Sequence, residues 1–168
     1  MVHKDSFIES IRHPVKSRMF LLFKLPSAFF SGVRIRYIDE TRCEVSVPYK
    51  WFSKNPFRST YFACLSMAAE MSTGALAMAN IYGRKPGISM LVLKVESEYF
   101  KKATGKTLFS CEDGRLFEEA VAETIQTGNA QVVRAKSIGK NQEGDLIAEC
   151  FISWSFKAKN KINHNING

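Results

Sequence analysis

One long apolar run dominates the pattern of hydrophobic and polar positions, and it lies between Arg58 and Arg84. The run contains no proline and is too long for a strand, and Glu70 is the one charged residue between the two arginines. At about 1.5 Å per residue, residues 59–80 make a helix on the order of 33 Å long. Because a helix that is apolar nearly all the way round belongs in an interior, the pattern predicts one long buried helix.

The polar residues of this predicted helix form a stripe. Ser59, Ser66 and Thr73 are seven residues apart, and Glu70 lies between the last two on the same side. A single carboxylate flanked by hydroxyl groups in a buried helix is a candidate functional group. The alternative is a hydrogen-bonded glutamate of the core or of a subunit interface. Gly74 costs a helix interior about 1 kcal/mol relative to alanine, which predicts the close approach of a neighbouring backbone.

Alternation of apolar and polar residues predicts six strands around this helix. In the first strand Val33 and Tyr37 share one face, and in the third Leu91 and Val95 share one face. An amphipathic helix over residues 116–127 is inserted before the fifth strand. The predicted strands are 33–38 and 42–51, which form a hairpin before the long helix, and 88–103, 105–113, 131–139 and 145–156, which follow it.

The order of these elements predicts an α+β fold in which one curved antiparallel sheet wraps around the long helix. Sheet and helix form a domain over residues 32–157. Residues 1–31 are predicted to form one or two helices that pack on the domain and are punctuated by Pro14 and Pro26. Residues 158–168 are poor in apolar side chains, which predicts a disordered basic tail.

Length and composition are those of a single globular domain, with 168 residues of which 45% are hydrophobic and 24% charged. The net charge of +8 is scattered, and no nucleic-acid-binding motif accompanies it, so we expect no specific nucleic-acid partner. The apolar stretch 19–30 carries Lys24 and Pro26 and falls far short of the ~20 residues that cross a bilayer. We therefore expect no membrane partner.

The cysteines favour a reducing compartment. They lie far apart in apolar segments and without the spacing of metal ligands, which is typical of buried free thiols. The first ten residues show no secretory leader. We therefore expect a cytoplasmic protein without a metal site. The four residues are Cys43, Cys64, Cys111 and Cys150.

The segment NPFRSTYFACLSMAAE, preceded by two predicted strands and followed by EYFKKATGKTLFSCE, resembles the hot-dog-fold acyl-CoA thioesterases. It is most similar to a branch of unknown function related to the phenylacetyl-CoA thioesterases, and the resemblance covers roughly residues 15–157. In that family an Asn precedes a His-Gly-Gly-like element, and an acidic residue follows nine positions after the His. Here Asn55 matches the Asn and Glu70 the acid, while Tyr61, Phe62 and Ala63 replace His-Gly-Gly.

This resemblance implies an acyl-CoA thioesterase in which Glu70 is the general base or nucleophile and Asn55 is a second catalytic residue. The backbone N–H groups of Tyr61, Phe62 and Ala63, at the amino end of the helix, would polarise the thioester carbonyl. Burial raises the pKa of a carboxyl group and hydrogen bonds from hydroxyls lower it, so the sequence leaves the pKa of Glu70 open. About 13 Å of helix separates Tyr61 from Glu70, so one site needs antiparallel helices from two subunits.

The implied substrate is an acyl thioester that carries coenzyme A, with no cofactor besides it. The implied assembly is a homodimer or a homotetramer built from two dimers. The alternative is a non-catalytic hot-dog protein that binds an acyl thioester or a fatty acid, with Asn55 as a helix cap or turn residue. Each basic candidate taken singly also fits a solvated surface. The candidate substrate-binding residues are Ser66, Thr73, Arg84, Lys85, Lys101 and Lys102.

Overall fold

The helices and strands follow one another in the predicted order. The structure is a computed structural model that describes residues 2–159, the first two of them by their backbone alone. Apart from Ala158 and Lys159, the predicted tail 158–168 lies outside the described residues. The elements are α1 (Val2–Arg12), α2 (Pro14–Lys24), α3 (Pro26–Phe30), β1 (Arg34–Ile38), β2 (Cys43–Val47), a 3-10 turn (Trp51–Ser53), α4 (Phe62–Ile81), β3 (Ile88–Tyr99), β4 (Thr107–Cys111), α5 (Gly114–Thr127), β5 (Gln131–Lys140) and β6 (Leu146–Ala158).

The N-terminal segment folds into three short helices where one or two were predicted. Pro14 and Pro26 each occupy the first turn of a helix, so each proline begins a new one. Proline favours this position because it has no N–H to leave unsatisfied and because its ring keeps the preceding residue out of the helical region. Helix α1 contacts β1 and α4, and it buries Phe7, Ile8 and Ile11.

The six strands form one antiparallel sheet in the order β1-β2-β4-β5-β6-β3, and α4 contacts all six of them. This is the predicted arrangement of one sheet wrapped around one helix. The core contains Leu76 of α4 together with Phe109 of β4 and Ile152 of β6, all fully buried. Helix α4 is long and apolar enough to span a membrane, but 67% of its apolar window is buried inside the protein, which is typical of a core helix.

Helix α4 begins at Phe62, three residues later than predicted. The preceding backbone is held in an extended path, because the Thr60 N–H donates to the Ala103 carbonyl at 2.8 Å and the Tyr61 N–H donates to the Ser53 carbonyl at 2.7 Å. Ser59 is therefore outside the helix and does not extend its polar stripe.

The neighbour of Gly74 is a side chain rather than the predicted backbone. A Cβ atom at this position would lie 3.2 Å from Cζ2 of Trp154 and 3.1 Å from Oε1 of Glu70. The glycine thus makes room for the indole of β6 and for the glutamate one turn earlier in α4.

Two predictions about strand faces are wrong, and a bulge explains each. In β1 the register shifts between Ile35 and Tyr37, which leaves Tyr37 exposed and turns Ile38 into the core. In β3 the register shifts between Val92 and Lys94, so Leu91 and Val95 lie on opposite faces of the sheet. An extra residue in one strand reverses the alternation beyond it, and periodicity alone does not reveal where it is inserted.

Candidate active site

Glu70 lies in the middle of α4 with its carboxyl group against an apolar cavity. The cavity has a volume of about 70 Å³ and lies between α4, the N-terminal helices and Met90 and Trp154 of the sheet. Glu70 also lines an adjoining groove of about 280 Å³ beside the junction of α2 and α3. Within residues 2–159 no hydrogen bond or ion pair reaches its carboxyl group. Burial raises the pKa of Glu70 above its usual range.

Neither neighbouring hydroxyl offsets this effect of burial. The Ser66 hydroxyl lies 3.0 Å from the hydroxyl of Tyr99. The Thr73 hydroxyl donates to the backbone carbonyl of Glu70 at 2.9 Å and accepts from the indole N–H of Trp154 at 2.9 Å. The sequence leaves open whether the pKa of Glu70 is raised or lowered. In the structure desolvation decides this, because both hydroxyls bond to groups other than the carboxyl group.

The amino end of α4 opens into a second, larger cleft of about 560 Å³. The Tyr61 N–H is already bonded to Ser53, which leaves two of the three predicted backbone donors. Among the described residues, the N–H groups of Phe62 and Ala63 have no acceptor, as is usual for the first turn of a helix. The Phe62 side chain is 57% exposed at the mouth of the cleft.

Asn55 lines this cleft and at the same time closes the loop that leads to α4. Its side-chain oxygen accepts from the backbone N–H of Phe57 at 2.9 Å and of Ser59 at 3.2 Å, and its amide donates to the Ser59 hydroxyl at 3.1 Å. Arg58, within the same turn, has a φ of 59°. These bonds give Asn55 a structural role in the loop, while its catalytic role remains a prediction.

The four basic candidates fall into two groups at opposite ends of α4. Lys101 and Lys102 line the cleft with Asn55, and Lys101 forms an ion pair with Asp145. Arg84 follows the carboxyl end of α4 and donates from Nε to the Asn80 carbonyl at 3.1 Å. Lys85 follows it in the chain. Within one chain, therefore, the structure brings only Lys101 and Lys102 to the cleft.

Glu70 and the free amides of α4 do not meet within one chain. Eight residues separate Phe62 from Glu70 in the helix, and this corresponds to about 12 Å along its axis. One acyl carbonyl cannot contact both groups at that distance.

Sequence reasoning missed several residues of both cavities. Tyr99 and Phe100 line the cleft at the end of β3, and Thr60 lines it with a side chain that is 3% exposed and a hydroxyl without a described partner. Phe7 and Ile11 of α1 line the Glu70 cavity. In the sequence, the aromatic residues around Phe57 and Tyr61 could have indicated the cleft. No local sequence pattern connects α1 with Glu70.

The described residues contain no group of three or more His, Cys, Asp and Glu side chains arranged to hold a metal ion. All four cysteines are free and buried. Burial raises the pKa of the Cys111 thiol to about 12, despite a hydrogen bond from the backbone of Asp113 that lowers it. Such a thiol is protonated at neutral pH and is a poor nucleophile or ligand.

Solved structures of other proteins share this fold. A probable thioesterase from Pseudomonas aeruginosa superposes with a TM-score of 0.73 at 16% identity, over 87% of this chain and 97% of that one. A protein of unknown function from Chlorobaculum tepidum gives 0.73 at 14% identity, over 87% and 97%. A thioesterase from Haemophilus influenzae gives 0.62 at 15% identity, over 87% and 92%. At these identities the likeness establishes the hot-dog fold.

No curated protein matches the sequence significantly. Residues 16–156 match a family described as a domain of unknown function, DUF4442, which covers most of the chain. Together with the shared fold, this match agrees with the resemblance seen in the sequence. The chain belongs to the DUF4442 family, a family of unknown function, and it has the hot-dog fold.

Proposed function

We propose that this protein is an acyl-CoA thioester hydrolase that works as a homodimer. The observation that carries the proposal is Glu70, whose carboxyl group has no partner within residues 2–159 and lies beside an apolar cavity in a thioesterase-like fold. A carboxylate whose pKa is raised by burial is a better proton acceptor than an ordinary one. No hydrogen bond among the described residues commits this partly buried carboxyl group to a structural role.

In the proposed reaction Glu70 takes a proton from water as the water oxygen attacks the thioester carbonyl carbon. The N–H groups of Phe62 and Ala63, with the positive end of the helix dipole, stabilise the oxyanion that develops. The C–S bond then breaks, and the thiolate leaves and is protonated, which gives a carboxylic acid and free coenzyme A. Direct attack by the carboxylate, followed by hydrolysis of the anhydride, is the alternative route through the same residue.

A dimer would bring Glu70 of one subunit close to the free amides of α4 in the other. β3 is the last strand in the sheet order, and Leu93 at its middle is 54% exposed. If two β3 strands pair antiparallel about this midpoint, the Tyr99 end of one copy lies beside the Met90 end of the other. Tyr99 lines the amino-end cleft and Met90 lines the Glu70 cavity. The cleft of each subunit would therefore adjoin the carboxyl group of the other.

The same arrangement suits coenzyme A. Lys101 and Lys102 would bind its phosphates beside the aromatic walls of the cleft. In an antiparallel pair of α4 helices, the carboxyl end of one lies near the amino end of the other. Arg84 and Lys85 of one subunit would then join the lysines of its partner, although they are remote from them within one chain.

Hydrolysis by purified protein of a panel of short, long and aromatic acyl-CoAs, followed as release of free thiol, tests the proposal. Glu70→Gln should retain the fold and substrate binding and lower turnover by at least about 100-fold, the scale of a general base. The matched control is Glu119→Gln, an exposed residue of α5 with the same change of charge. Equal rates for wild type and Glu70→Gln would contradict a catalytic Glu70.

A second function is favoured by one observation, the replacement of His-Gly-Gly by Tyr61, Phe62 and Ala63. The bulky Phe62 side chain lies where a glycine would leave the amides open, which suits a protein that binds an acyl thioester without hydrolysing it. Tight binding of one acyl-CoA, with no thiol release for any member of the panel, would identify a carrier or sensor. Four buried free thiols support a reducing cytoplasm for either function.

A further inference from the structure

We propose that the N-terminal helices α1 and α2, together with Leu25, form the wall of an acyl-chain pocket, and that the cavity beside Glu70 receives a short unbranched acyl group. The inference rests on the proposed function, because it takes Glu70 as the residue that faces the thioester. It adds a role for a segment outside the sheet-and-helix domain and names the class of acyl group that this segment admits.

The cavity is built from both parts of the chain. Phe7 and Ile11 from α1, Phe20 from α2 and Leu25 after it form the wall. Met71 and Met78 of α4 and Met90 of β3 line the opposite side. Glu70 is the one ionisable residue among the lining residues, so a chain that entered would meet apolar surface everywhere except at the carboxyl group.

The volume fits the start of an acyl chain. The cavity measures about 70 Å³. An apolar cavity of about 150 Å³ holds benzene with its six carbons, so this one has room for roughly three carbons. With the carbonyl carbon held outside at Glu70, this corresponds to an acyl group of about four carbons. The methionine side chains are flexible, which lets the pocket adapt its shape without a change of fold.

An entrance is visible at the junction of α2 and α3. Leu25, Glu70 and Met71 line both the cavity and the adjoining groove, so they lie where the two spaces meet. Leu25 lies between the two helices with φ −138° and ψ 61°, outside the helical region, and its side chain is 42% exposed. A residue so placed can rotate away without disturbing either helix. The acyl chain would pass Leu25 and leave its thioester at Glu70.

The length preference of the pocket is tested with S-alkyl coenzyme A thioethers that carry straight chains of two to twelve carbons and are not hydrolysed. Binding to the full-length protein is measured by calorimetry, and wild type should prefer the butyl compound. Ile11→Ala enlarges the cavity, so the affinity ratio of hexyl to butyl should rise about tenfold, the lower end of what one methylene is worth in such a pocket.

Ile8→Ala is the matched control. Ile8 belongs to the same helix and is as buried as Ile11, 4% against 6% exposed, but it does not line the cavity. It should destabilise the protein similarly and leave the length preference unchanged. Ala75→Val fills the cavity instead of enlarging it and should reverse the effect, lowering the affinity for butyl relative to ethyl about tenfold. This second variant keeps the test intact if Ile11→Ala fails to fold.

A measurement without coenzyme A tests where the acyl chain binds. Carbon-13 methyl spectra of methionine in wild type are recorded with 1-butanol, whose hydroxyl can bond to Glu70. The methyl signals of Met71, Met78 and Met90 should shift, while that of Met19, which is exposed on α2, should not.

These measurements separate the pocket from the catalytic proposal. A shifted length preference in Ile11→Ala without any hydrolysis supports the pocket and overturns the enzyme. Hydrolysis by wild type with the same acyl preference in Ile11→Ala and Ile8→Ala overturns the pocket and leaves the enzyme. Methionine signals that stay unchanged with butanol, together with thioether affinities that are independent of chain length, also overturn the pocket.

Discussion

The hydroxyl of Thr73 accepts a hydrogen bond of 2.9 Å from the indole N–H of Trp154, and it donates one of 2.9 Å to the backbone carbonyl of Glu70, three residues earlier in α4. The bond from Trp154 links the central helix to strand β6. It also satisfies a buried indole that would otherwise lack a partner. The bond to the Glu70 carbonyl uses the hydroxyl proton of Thr73, so this proton does not reach the neighbouring carboxyl group. Thr73 thus secures the core without contacting the candidate catalytic group.

Thr73→Val removes this bond while keeping the shape of the side chain. The buried Trp154 N–H is then unsatisfied, which should lower the free energy of unfolding by about 1–3 kcal/mol. Urea denaturation measures the change. The same substitution should leave the pKa of Glu70 unaltered, because the hydroxyl does not contact the carboxyl group. Ser72→Ala is a useful comparison, since the Ser72 hydroxyl bonds to Ser137 at 2.7 Å and is also fully buried.

Glu70 should make the folded protein less stable as the pH rises. The folded chain binds the proton of this carboxyl group more tightly than the unfolded chain, because burial raises its pKa. Its contribution is fully present below the unfolded pKa of about 4.3 and is lost as pH rises through the raised pKa of the folded state. Glu70→Gln should therefore be more stable than wild type at neutral pH, by roughly 2–4 °C in Tm for each kcal/mol gained.

Urea midpoints of wild type and Glu70→Gln, measured across this range, give the test. The difference between the two proteins should grow as pH increases and then level off. A difference that is constant with pH would mean that Glu70 is not desolvated in solution.

Asn55→Ala should destabilise the loop that positions the amino end of α4. The substitution removes the acceptor for the N–H groups of Phe57 and Ser59, at a cost of about 1–2 kcal/mol, the range for lost caps. Asn55→Asp retains the accepting oxygen and should recover much of that stability. Rates of thioester hydrolysis, measured well below the melting temperature, then distinguish a catalytic role of Asn55 from a structural one. Loss of turnover in both variants indicates contact with water or substrate, whereas loss in Asn55→Ala alone indicates positioning of the loop.

Leu93→Lys should prevent the proposed dimer. A charged side chain at the middle of β3 would be buried against its counterpart or against the partner's strand, and lysine is a common device against edge pairing. Light scattering at micromolar concentration should show a dimer for wild type and a monomer for the variant. Turnover should fall as the fraction of dimer falls, because each site would contain residues from two subunits.

Val132→Lys is the control for this experiment. Val132 is 57% exposed, similar to Leu93, but it belongs to β5 in the interior of the sheet order. The variant should remain dimeric. A wild-type protein that is monomeric at micromolar concentration would contradict the shared site altogether.

Local patterns in the sequence were sufficient for the order of the six strands and the two helices among them, although they did not give the number of N-terminal helices. The absence of proline and charge between Arg58 and Arg84, apart from Glu70, predicts the buried helix, since burying such a run is the only way to remove it from water. Alternation predicts the strands, and Pro14 and Pro26 mark helix starts. The resemblance of residues 55–70 to a thioesterase motif indicated the hot-dog fold. All of these signals depend on residues close together in the chain.

Only the tertiary structure decided what surrounds the carboxyl group. The Thr73 hydroxyl could have donated to the Glu70 carboxyl group, but it donates to the Glu70 backbone carbonyl and accepts from Trp154, eighty-one residues further on. Ile11 closes the cavity from a helix that no local pattern connects to α4. The bulge at Leu93 and the bond from Tyr61 to Ser53 likewise depend on partners distant in sequence or on a single inserted residue. The sequence determined which groups are available, and packing between distant segments determined which of them remain free to react.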